Sequence, residues 1–162
     1  MLVIATVVAA AVAINAIYPS VVRSSGAISR ISQRVDERIE SQISIPYGAA
    51  ELNNVGVWVD SDGDGRFDVW VWAKNVGSAR ILGIDQTDVF FGTEGNFRRI
   101  PYVDDAGGTF PNWSYVIENG TEWGSTVTVK LTIHYAAALT TGIYIVKVVV
   151  PSGAYGELFF SF

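Results

Sequence analysis

The sequence predicts an α+β protein, a long N-terminal hydrophobic/amphipathic α-helix followed by an immunoglobulin-like antiparallel β-sandwich. Three observations lead there. No charged residue occurs before Arg23. Isoleucines and a valine then recur at steps of three or four as far as Ile43. After Pro46 the chain breaks into short alternating runs separated by Gly, Asn and Asp.

The first element is the apolar one. From Met1 to Val22 only Thr6, Asn15 and Ser20 are frankly polar, and the run approaches the roughly 20 residues that span a bilayer. A cleavable secretory signal would show basic residues before its apolar core and a polar break after it. Neither is present. The stripe Ile28, Ile31, Val35, Ile39 and Ile43 continues instead, with Arg30, Arg34, Asp36, Glu37, Arg38 and Glu40 between its members, as on an amphipathic helix. The reading is one helix over about residues 2–44, about 65 Å long at 1.5 Å per residue. It is kinked at Pro19, which lacks a backbone donor, and stopped at Pro46. A helix apolar all round in its first half must lie in lipid or among copies of itself. Ala5, Ala9, Ala10, Ala11, Ala13 and Ala16 would let backbones approach closely. The organisation expected is therefore a polymerisation helix over 1–45 and a β-sandwich outer domain over 46–162.

The second part differs in charge and composition. Residues 23–45 carry four arginines against three acids, whereas residues 46–162 carry seven bases against thirteen acids. The segment Phe67–Ala73 (FDVWVWA) has strict period-two character, with Phe67, Val69 and Val71 on one face and Trp70 and Trp72 on the other. Further strand-like runs are 52–59, 80–84, 87–91, 97–103, 113–117, 125–135, 142–150 and 155–162. Many short strands with no helical period between them indicate a sandwich or barrel.

Composition narrows the function. The chain has 162 residues, no cysteine, one histidine (His134) and a formal net charge of -5. Disulfides, thiolate nucleophiles and Cys-based metal sites are excluded. The acidic balance opposes a nucleic-acid partner. There is no phosphate loop, nucleophile elbow or metal–histidine motif, and Asp104 and Asp105 before Ala106-Gly107-Gly108 read as a solvated loop. No enzyme is expected, and His134, in an alternating strand, is expected to be structural or at the surface.

Two features could bind or carry something. Asp60-Ser61-Asp62-Gly63-Asp64-Gly65-Arg66-Phe67-Asp68 matches the start of a calcium loop, with carboxylates at positions 1, 3 and 5, glycine at 6 and an oxygen donor at 9. Asp60, Asp62, Asp64 and Asp68 are the candidate ligands, and calcium is the one cofactor considered. Val71 stands where a bidentate glutamate belongs, and the competing reading is a plain Asp/Gly turn. Asn112-Trp113-Ser114 and Asn119-Gly120-Thr121 are glycan sequons, making Asn112 and Asn119 candidate acceptors.

The run MLVIATVVAAAVAINAIYPSVV and the segment VWVWAKNVGSARILGIDQTDVFFG (residues 69–92) together resemble the archaellin family, the subunits of archaeal-type flagella with type IV pilin-like N-termini. The second segment is similar to the strand–KNxG–strand passage of archaellins and of small archaellum-associated proteins. The resemblance implies a leader removed by a type III signal peptidase, insertion in the cytoplasmic membrane before assembly, and handling by an export and assembly machinery. Ala5, where type IV pilins usually carry glutamate, favours archaellin over pilin. The implied function is the structural subunit of an extracellular, cell-surface motility filament, partnered by copies of itself. Its helices would pack through Leu2, Ile4, Val7, Val8, Val12, Ile14, Ile17, Val21, Ile28, Ile31 and Val35. The alternatives are a non-rotating adhesion filament and a membrane-anchored β-domain acting as a minor stator or envelope-binding component.

Overall fold

The computed structural model describes residues 40–162. These fold into two four-stranded antiparallel sheets. One has the order β1 (Ile43–Ala50), β2 (Phe67–Asn75), β6 (Thr128–Tyr135), β5 (Asn112–Ile117). The other has the order β4 (Arg98–Ile100), β3 (Asp88–Thr93), β7 (Ile143–Val149), β8 (Tyr155–Ser161). A 3₁₀ turn, Ile84–Gln86, leads into β3. This is the strand order of an immunoglobulin-type sandwich, A-B-E-D facing a C-F-G sheet widened by one strand.

The class is corrected by this arrangement: the described residues are all-β rather than α+β. The segment expected to end the long helix is strand. Ser41, Ile43 and Ile45 point inward, alternating with exposed Gln42, Ser44 and Pro46, so the stretch obeys period two. Ile43 also falls on the helical stripe through Ile31, Val35 and Ile39 in the sequence, whereas Ile45, two residues on, fits only the strand period. Pro46 does not stop the element. It sits on an edge strand where the pairing with β2 shifts register between Ser44 and Tyr47, a position that tolerates a missing N–H. The apolar packing residues from Leu2 to Val35, and the kink at Pro19, lie outside the described residues. Among the described residues no helix is long and apolar enough to cross a membrane.

Inward-facing Val69, Val71 and Ala73 of β2, Val129, Leu131 and Ile133 of β6, Val89 and Phe91 of β3, and Val146 and Val148 of β7 form the shared core. Burying each large apolar side chain contributes about 1.5–3 kcal/mol. Trp113 and Trp123 are fully buried among them. Trp58 packs edge-on against Phe67 and Phe162, while Trp70 and Trp72 lie on the outer face, with Tyr47 5.3 Å from Trp72.

The KNVG passage is the polar centre of the fold. β2 ends at Asn75, whose side chain is fully buried. Its Nδ2 donates to the carbonyls of Ala79 (2.8 Å) and Trp123 (3.1 Å), and its Oδ1 accepts from Gly77 N–H (3.0 Å). Its own backbone accepts from Thr126 and donates to Val127. Gly77 is needed for close approach: a Cβ there would stand 2.1 Å from the Glu40 carbonyl oxygen. Asn75→Ala strands one buried and two partly buried polar partners, and each group left unsatisfied costs up to about 1–3 kcal/mol. Thermal or urea unfolding is expected to show a loss of more than about 3 kcal/mol for Asn75→Ala. Gly77→Ala is also expected to destabilise, because only a backbone shift relieves its contact.

Candidate functional site

The acidic loop follows from local turn chemistry. Asp60, one residue past Val59, turns back on its own backbone: Oδ1 accepts from Gly63 (2.7 Å) and Asp64 (3.0 Å), and Oδ2 from Gly65 (2.8 Å). Gly63 and Gly65 both have positive φ (75° and 79°), which glycine adopts without a Cβ clash. The Asp62 carboxylate accepts from Asp64 N–H, and the Asp64 carboxylate from Arg66 N–H. Carboxylate oxygens of Asp60, Asp62 and Asp64 converge within 4.8 Å of one another.

Electrostatics separates the three. The Gly65 N–H is the main cause holding the Asp60 carboxyl below its ordinary value, helped by Gly63 and Asp64. Asp62 moves the other way. The Asp64 N–H lowers it, but desolvation and the neighbouring charges of Asp64 and Glu51 outweigh that bond and leave it raised. Glu51, which sequence reasoning passed over, is buried beneath the loop and accepts Ser61 N–H through Oε1 (2.8 Å).

Asp68 is not part of this cluster. It is an outward-facing residue of β2 whose Oδ1 lies 2.7 Å from His134 Nδ1, and His134 is its cross-strand partner on β6. The loop thus offers three carboxylates where calcium takes six to eight oxygens, and the N–H groups of Ser61, Gly63, Asp64, Gly65 and Arg66 are already bonded without an ion. The geometry fits a shallow divalent-cation site and equally a self-capped turn. Calorimetric titration with calcium is expected to give no binding tighter than about 10⁻⁴ M. Any weaker heat is expected to fall as Asp62 protonates at acid pH, to vanish in Asp62→Asn, and to persist in Asp68→Asn.

The sequons are placed differently. Asn112 is 3% exposed, and its Nδ2 donates to the Thr109 carbonyl at 2.7 Å. A glycan on that nitrogen has no room in the folded chain. Asn119 is exposed in the turn before β6, with Oδ1 accepting from Thr128 N–H. Glycopeptide mapping is expected to find any sugar on Asn119 and none on Asn112.

His134 has a second contact that the sequence did not reveal. Its Nε2 lies 2.9 Å from Ser114 Oγ on β5, so Asp68, His134 and Ser114 form one hydrogen-bonded chain across three strands. The only sequence trace of Ser114 was its place as third residue of a sequon. Its distance from His134 depends on strand register, which no local motif reports.

The outer faces of the sandwich are partly apolar. On the β4-β3-β7-β8 sheet, Phe97, Ile143, Tyr155 and Phe159 are exposed, Phe159 to 61%, and Phe97 stacks on Phe90 at 5.8 Å. On the other sheet Tyr47 and Val116 are exposed beside the partly covered Trp70 and Trp72.

Comparison with known proteins gives three findings. No family model matches the chain. An uncharacterised protein of Archaeoglobus fulgidus is 28% identical over 169 residues, covering 99% of this chain and 94% of its own length. Among solved structures, the archaellum periplasmic stator protein FlaG from Sulfolobus acidocaldarius superposes with a TM-score of 0.56 at 21% identity, covering 74% of this chain and 99% of that one. FlaF and FlaG from the same organism have also been solved as a stator complex, and a chain of it matches with a TM-score of 0.56, 22% identity, and 74% and 88% coverage. The sandwich described above is therefore the fold that the stator protein has.

Proposed function

We propose that this chain is an envelope-located component of an archaellum, a minor protein of stator type rather than the filament subunit. The observation that carries this reading is the match in fold between residues of the described sandwich and nearly the whole of the periplasmic stator protein. The KNVG passage supports it from the sequence side, since it is similar to the corresponding passage of small archaellum-associated proteins. The apolar run before Arg23 supplies a segment suited to holding such a domain at a membrane.

On this reading the sandwich works by being held outside the membrane and by docking other envelope or archaellum proteins. The FlaF–FlaG complex is an instance of such docking in the matched protein. Here the exposed Phe97, Ile143, Tyr155 and Phe159 are the residues suited to a partly apolar interface, because aromatic side chains are enriched at interface cores. The archaellin reading loses ground because the solved structures matched above are of a stator protein.

The test separates the two readings by composition and by motion. Cells lacking the chain are expected to lose swimming. In wild-type cells, mechanical shearing is expected to leave the chain with the envelope and to release filaments composed of other subunits. Mass spectrometry showing this chain as the main component of sheared filaments would return the assignment to a filament subunit.

A further inference from the structure

Among the described residues, the polar chain Asp68–His134–Ser114 is a group of side chains whose chemistry neither the fold nor the proposed envelope role uses. Its three members belong to adjacent strands of one sheet. Asp68 and His134 are directly opposed across β2 and β6. Ser114 stands opposite Thr132, one row along the same outer face. Asp68 Oδ1 to His134 Nδ1 is 2.7 Å and His134 Nε2 to Ser114 Oγ is 2.9 Å. Asp68 and His134 are 9% and 8% exposed, whereas Ser114, on the terminal strand of the sheet, is only partly covered.

We propose that Ser114 is an activated nucleophile that accepts an acyl group from a small ester. The buried carboxylate makes the Nδ1–H tautomer of His134 the favourable one, which leaves Nε2 as an acceptor aimed at the serine hydroxyl. This is the division of roles by which a base activates a serine and an acid orients the base. Asp68 is here a positioning residue, acting only through His134.

The sheet edge supplies a donor for the developing oxyanion. Trp113 N–H donates to the Pro101 carbonyl and Trp113 C=O accepts from Val103, so odd residues of β5 turn their backbone groups away from β6. Tyr115, two residues further, turns its N–H to that same side. The residue after the nucleophile is also where an oxyanion donor sits in α/β-hydrolases. Trp70 lies in the same row as Ser114 with Thr132 between them, so an aryl or short acyl ester can rest against an aromatic side chain.

The step balances without a co-reactant other than water. Ser114 Oγ bonds to the ester carbonyl carbon while His134 Nε2 takes its proton. The carbon–oxygen bond to the leaving group breaks, and the imidazolium returns the proton to that oxygen, releasing the alcohol. Water, deprotonated by the same nitrogen, then hydrolyses the acyl-serine to the carboxylic acid and free Ser114.

The test uses the full-length chain in mild detergent with an alkyl fluorophosphonate, which forms an oxygen–phosphorus bond at an activated serine and expels fluoride. Intact-mass and peptide analysis are expected to place a single adduct on Ser114, forming at least about tenfold faster than on the urea-unfolded chain. Ser114→Ala, a small change on an edge strand, is expected to keep the circular dichroism and melting profile and lose the adduct. Asp68→Asn and His134→Gln are expected to slow labelling by about 10²-fold or more, with the rate corrected for the folded fraction measured by melting. An adduct retained in Ser114→Ala, a folded chain no more reactive than the unfolded one, or an unchanged rate in folded Asp68→Asn would overturn the proposal.

Discussion

Much of this sandwich depends on one buried amide. Asn75 ends β2 inside the protein, where a bare backbone turn would leave several polar groups without partners. Its side chain supplies what the backbone lacks, two donors and an acceptor, to three different stretches of chain. Through Ala79 it sets the path from β2 towards β3, and through Trp123 it fixes the turn region ahead of β6. Gly77, two residues later, lets the same turn press against the backbone of residues 40–42. Aspartate at position 75 would bring a charge and lose both donors, and leucine would fill the space and satisfy nothing. The chemistry the position calls for is therefore that of an amide, and Val71, Ala73, Val129 and Trp123 are buried in the same core.

What the sequence reveals follows the range of the interactions involved. β2 is plain in FDVWVWAKN because its alternation is strict and one face is apolar. β6 and β7 are equally plain. β1 is hidden, since Ile43 also continues the helical stripe of Ile31, Val35 and Ile39 in the sequence and Pro46 signals a stop unless the strand is known to be an edge. Residues 52–59 and 80–84 look like strands but contribute only isolated bridges, Leu52 with Trp58 and Ile81 with Trp123. Their apolar residues pack without a neighbouring strand long enough to pair along.

The same division holds for the sites. Asp60, Asp62 and Asp64 come together because they are two residues apart around glycines, which is a local matter. Asp68 completes that spacing in the sequence but not in space. By then the chain is in β2, and the pleat aims its carboxylate at His134, 66 residues away in sequence. Asn112 was readable as a sequon but not as a buried amide, because its burial in the folded sheet, with Nδ2 bonded back to the Thr109 carbonyl, is not written in the tripeptide. In each case the missing information is which strands lie side by side. That information bears on function too, because the N-terminal run, which resembles archaellins, and the sandwich, whose fold matches a stator protein, give different answers when either is read alone.

The bonds that join Glu40 and Gln42 to the turn after Asn75 have a mechanical meaning. Val76 and Gly77 both donate to the Gln42 carbonyl, and Ser78 and Ala79 both donate to that of Glu40. A pull arriving along the chain at residue 40 meets these four bonds before it reaches β1, and then the ladder between β1 and β2. Bonds arranged across a strand share such a pull when it runs along the strand, whereas bonds at a fraying end yield singly. Resistance to forced opening is governed by the unfolding rate rather than by equilibrium stability. For a domain tethered at its N-terminal end, the turn around Asn75 is then a strain-relief clamp, and a protein of ordinary stability can remain folded under a load that acts only at its point of attachment.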